Sequence, residues 1–137
     1  MRKQIVKFAC YTALLTLTSI TQADVSVIVH PSNTASIDEN TIKRIFLGKA
    51  SSFPGGGTSV PVTLKGSVAD EFNQKVLGKT SNQLQSYWSK LVFTGKGTPP
   101  KEADESEMLN LIANNPQYIG FIPKGTEDST VKVISSF

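Results

Sequence analysis

Lys65-Gly66-Ser67-Val68 combines residue types whose order could hold an anion. It follows the strand-like run Val60-Pro61-Val62-Thr63-Leu64 and opens a helical stripe of Val68, Phe72 and Val76, with Gly78 placed to stop it. A strand-to-helix turn of small residues aims unpaired backbone N–H groups and the positive end of a helix dipole outward, which suits an oxyanion. Lys65 adds a charge and Ser67 a hydroxyl. Every capped helix shares this physics, and Ser67 with Asp70 is also spaced as an ordinary cap pair, so both readings stand at this point. Thr94-Gly95, opening the stiffened loop that runs to Pro99-Pro100, is a second place where backbone could meet a ligand.

Other chemistries lack their residues. His30 is the only histidine, sits beside Pro31 at a strand end, and no nucleophile-elbow pattern accompanies it, so no enzyme is expected. Glu102, Asp104, Glu105 and Glu107 crowd one helix start, where the dipole favours them, but no clear set of partner ligands completes a metal site. No cofactor is expected. Ser51-Ser52-Phe53-Pro54-Gly55-Gly56-Gly57 lacks the Gly-Lys-Ser/Thr of a phosphate-binding glycine loop and reads as a turn with Phe53 tucked into the core.

The 137 residues carry 14 basic and 11 acidic side chains, and the excess lies at one end. Residues 1–23 place Arg2, Lys3 and Lys7 before an apolar stretch and close on Thr21-Gln22-Ala23, the pattern of a secretory signal peptide cut before Asp24. That segment takes three basic residues with it and the only cysteine, Cys10, leaving residues 24–137 formally neutral, without a thiol or a disulfide. Nucleic acid is therefore not an expected partner. Export to the periplasm is.

Within residues 24–137 one domain is expected. Val25–Val29 reads as a buried strand, and Ser36 with Glu39 as a capping box before a helix with Ile42, Ile45 and Phe46 inward and Gly48 as its stop. Ser81 is placed to cap a helix carrying Leu84, Tyr87, Trp88, Leu91 and Val92, with Trp88 in the core and Tyr87 partly exposed. Asp104 and Glu107 form a cap pair before a helix ending near Asn114, and residues 118–122 and 131–134 read as the last strands. The pattern predicts an α/β fold, a mixed sheet of about four or five strands with flanking helices in a three-layer style.

Several segments in order then carry a resemblance. Thr41-Ile42-Lys43-Arg44-Ile45-Phe46-Leu47-Gly48-Lys49, Val60-Pro61-Val62, Phe72 to Gly78, Tyr87-Trp88, Phe93 to Pro100 and Tyr118-Ile119-Gly120-Phe121-Ile122 together look like the phosphate-transport substrate-binding proteins, of type II periplasmic-binding-protein fold. The resemblance implies two α/β lobes closing on a tetrahedral oxyanion, of which residues 24–137 have the size of one. The family's Ser-Gly-Thr aligns with Gly66-Ser67-Val68, while its upstream arginine has no counterpart; Thr63 and Lys65 are the nearest polar residues. The resemblance thus implies an exported module binding phosphate or a similar oxyanion weakly at Lys65, Gly66, Ser67 and Val68, with Thr94 and Gly95, for an ABC transporter or another membrane receptor. A homodimer could supply the missing wall. The alternative is a periplasmic interaction or sensory adaptor that has lost its ligand.

Overall fold

The computed structural model describes residues 24–137; the expected signal segment, residues 1–23, lies outside them. The elements are β1 (Val25–Val29), α1 (Glu39–Phe46), β2 (Val60–Leu64), α2 (Ser67–Phe72) running into a π-helical turn (Asn73–Leu77), α3 (Ser81–Phe93), β3 (Lys101–Ala103), α4 (Glu105–Asn114), β4 (Tyr118–Pro123) and β5 (Lys132–Ser136). One sheet joins all five strands in the order β3-β2-β4-β1-β5. β2 is parallel to both β3 and β4, whereas β1 is antiparallel to β4 and β5. Pro61 in β2 pairs with β4 only, outside the stretch that pairs with β3.

Both faces of the sheet are covered, which explains why β1 is buried at every position and reads as a continuous apolar run rather than an alternating one. On one face Phe121 meets helix aromatics: its ring stacks on Phe72 at 4.0 Å between centroids, and Phe46 lies edge-on to Phe72 at 4.7 Å. The opposite face packs on α4. A Cβ at Gly120 would run into the Met108 side chain there and would lie 3.4 Å from Ile112, so the missing side chain lets α4 sit close. The result is α1 and α2 on one side, the sheet, and α4 on the other.

Three helix starts differ from the sequence reading. α1 is capped by Asp38, whose carboxylate accepts the Thr41 amide at 2.7 Å; Ser36 lies too far upstream to reach the free amides. An ionised acceptor gives the stronger cap. α3 begins one residue early, on a reciprocal box in which Thr80 and Gln83 each accept the other's amide. α2 takes Gly66 rather than Ser67 as its cap. Trp88 is buried and Tyr87 half-buried, its hydroxyl donating to the Leu47 carbonyl at 2.6 Å, but Val92 is 53% exposed rather than part of a core stripe. The last strand runs from Lys132 to Ser136, a little later than the apolar residues alone suggest, with Val131 buried just before it.

Candidate functional site

β2 buries Val62 and Leu64 and then leaves the sheet, so Lys65, Gly66 and Ser67 are exposed and Val68 is half-buried. Gly66 takes φ +81° and ψ −155°, a conformation essentially restricted to glycine. It serves as the N-cap of α2, its carbonyl accepting the amides of Ala69 at 3.1 Å and Asp70 at 3.3 Å. Ser67 is therefore the first helical residue and not the cap. No side-chain oxygen closes this helix start. The amides of Ser67 and Val68 stand at the first two helical positions, which have no carbonyl one turn back to bond. α1, α3 and α4 are closed differently, each by a side-chain acceptor: Asp38, Thr80 and Asp104.

Topology adds to this. β2 and β3 are parallel neighbours, with Leu64 opposite Ala103, so the next residues on each strand, Lys65 and Asp104, leave the sheet side by side. The α2 connection packs on the Phe121 face and α4 on the Gly120 face. Adjacent parallel strands whose helices depart to opposite faces leave a crevice at their carboxyl ends, the usual binding position in open α/β sheets. Its two lips have opposite character. On the α4 side the Asp104 carboxylate accepts the Glu107 amide at 2.8 Å and the Ser106 hydroxyl at 3.0 Å, and Glu105 and Glu107 follow it in the first turn. The Glu107 amide, the Ser106 hydroxyl and, more weakly, the Lys65 charge hold the Asp104 carboxyl below its ordinary value. On the α2 side there is open backbone and the Lys65 ammonium.

Thr94 and Gly95, expected as a second backbone contact, are spent otherwise. They close the C-terminal end of α3: the Thr94 amide donates to the Lys90 carbonyl at 3.1 Å, the Gly95 amide to Val92 at 3.1 Å, and the Thr94 hydroxyl to Lys90 at 3.0 Å. With their donors turned onto helix carbonyls, and with a helix C-terminus presenting negative rather than positive potential, they have nothing left for an anion. A depression of about 970 Å³ lies at the other end of β2 and β4, among Ser32 to Ser36, Gly55 to Gly57 and Gln117, with no charged residue in its lining. A second, about 730 Å³, is an apolar groove under α3, between Trp88 and Leu84 on the helix and Thr63 and Glu102 on the strands. Sequence reasoning missed this groove because Leu84 and Val92, which line it, pass for core residues at helical spacing.

The chain superposes on an ABC-type phosphate transport receptor from Vibrio cholerae with a TM-score of 0.61 and 20% identity, over 82% of this chain and 46% of that one. A structure described as a phosphate ABC transporter substrate-binding protein with bound phosphate, from Clostridium perfringens, gives a TM-score of 0.61, 20% identity, and 82% and 45% coverage. The fold is that of the phosphate-transport receptors. The chain spans less than half the length of either, as the one-lobe reading expects. No family model matches the sequence, and no curated protein does.

Proposed function

We propose that this protein is an exported binding module for phosphate or a similar tetrahedral oxyanion, which it holds without turning it over. The observation that carries the reading is the start of α2: no side chain caps it, it is glycine-shaped, and it is set at the carboxyl ends of parallel strands whose helices leave on opposite faces. The Ser67 and Val68 amides donate to the ion, the Ser67 hydroxyl adds a third donor, and Lys65 supplies the opposite charge as a point rather than as a two-pronged fork. Gly66 lets the backbone approach. The neighbours' fold supports phosphate as the first ligand to test and an ABC transporter as the membrane partner, with the periplasm as the place of work.

An open crevice leaves the ion partly hydrated, and the acidic lip at Asp104, Glu105 and Glu107 opposes it, so binding is weak: a Kd between about 1 mM and tens of µM, roughly −4 to −6 kcal/mol. Calorimetric titration with phosphate and with sulfate tests this directly. At about 10 mM ligand and a Kd of about 1 mM the folded state gains about 1.4 kcal/mol, a rise in Tm of roughly 5 °C. Lys65→Ala and Ser67→Ala should each weaken binding several-fold. No heat and no thermal shift with either anion would remove the reading.

A further inference from the structure

Phe93 is 92% exposed, at the last position of α3, beside an apolar groove that nothing in the described chain fills. Large apolar groups left in water next to an apolar groove mark a contact surface rather than ordinary surface scatter. The groove exists because α3 stands off the sheet. Trp88 holds the helix against Gly48 and Gly97, and the Tyr87 hydroxyl reaches Leu47, but between α3 and the β2–β3 edge a space remains, floored by Phe46 and Leu77 and walled by Leu84, Val92 and Pro99.

We infer that the groove receives Phe93 of a second copy of this chain, in a two-fold dimer where each α3 end seats in the other's groove. A knob and a hole on one face are what an isologous interface needs, because each copy then offers and accepts the same contact. The charges around them agree. Phe93 is flanked one turn back by Lys90 and three residues on by Lys96, while the groove's strand-side rim carries Glu102; none of these three forms an ion pair among the described residues. Docking the knob brings the lysines of one copy to the glutamate of the other. Residues 24–137 carry as many acidic as basic side chains, so no net repulsion opposes two copies meeting. The inference is independent of the anion reading, since it uses no residue of the α2 start.

Sedimentation velocity on the purified protein, from about 1 µM to about 500 µM, reads it out: a reversible monomer–dimer equilibrium is expected in that range. Phe93→Ser, at a position too exposed to affect folding, should raise the dimer Kd at least about tenfold, as loss of a central aromatic anchor does. Lys96→Glu and Glu102→Lys should each weaken the dimer, and the double variant should recover it. A protein that stays monomeric at the highest concentration overturns the proposal and leaves the groove to another occupant. So does a dimer indifferent to Phe93→Ser, or a charge-swapped pair that fails to recover.

Discussion

At Gly66 the backbone conformation and the surrounding space say different things. A Cβ added there would meet nothing within 4 Å, yet φ +81° with ψ −155° belongs to glycine alone. Gly66→Ala should therefore cost about 1–3 kcal/mol through backbone strain, with no clash to blame. It should also lower phosphate affinity, because relaxing the strain swings the Ser67 amide away. Denaturant unfolding of the variant checks the first part; a midpoint equal to that of the parent would show that the conformation is not held. Gly120 is the reverse case. Its neighbour Met108 is fully buried, and what glycine provides there is room for α4.

At the scale of elements, the four helix starts divide by whether they can titrate. Asp38 is held below its ordinary carboxyl value by the Thr41 hydroxyl and amide, and Asp104 by Glu107, Ser106 and Lys65, whereas Thr80 and Gly66 carry no ionisable cap. A depressed folded-state value gives a contribution that is complete above the unfolded carboxylate value of about 3.9 and is lost as pH falls through the lower folded value. The acid limb of stability should thus come in part from α1 and α4, beside Asp128 in the last turn, whose carboxyl the Thr130 hydroxyl and amide also hold below its ordinary value. Asp38→Asn with Asp104→Asn leaves a neutral capping side chain at both starts, asparagine being a favoured N-cap residue, but removes the titration. The double variant should show a flatter fall in Tm between about pH 4 and pH 2 than the parent; an unchanged limb would exclude these caps as its source. Thr80→Ala should cost about 1 kcal/mol at every pH in that range.

The same elements show what was legible in the sequence. β1, β2, β4, the stops at Gly48 and Gly78 and the burial of Phe53 follow from β-branched runs and glycine placement, and all are found. The turn at Lys65-Gly66-Ser67 was readable because small residues separate a strand run from a helical stripe. Which residue capped it was not, since glycine closes a helix by conformation and leaves no acceptor to spot. β3 was invisible: Lys101-Glu102-Ala103 follows two prolines, has no strand composition, and is a strand only because β2 offers it a parallel edge. The π-helical turn was equally hidden, with Asn73 buried where the stripe has no place for a polar residue.

At the scale of the whole molecule, β5 closes the sheet beside β1. The amide and carbonyl of Val25 each bond Phe137 at 2.9 Å, Val131 is buried, and Ile134 and Phe137 pack on the core. Deleting residues 131–137 would strip one edge of β1 of its partners and open the core beneath it. The truncated chain should lose its cooperative thermal transition by circular dichroism. A sharp melt near that of the full chain would show that β5 is dispensable.

That arrangement also orders events in time. β1 is the first strand of the domain and is flanked only by the last two, β4 and β5. Its five buried residues therefore have no strand to pair with until Tyr118–Pro123 and Lys132–Ser136 have been made. Long-range pairing of this kind makes folding slow. The two ends of the described chain must therefore find each other before β1 has a partner, so that long closure should set the slow step of refolding.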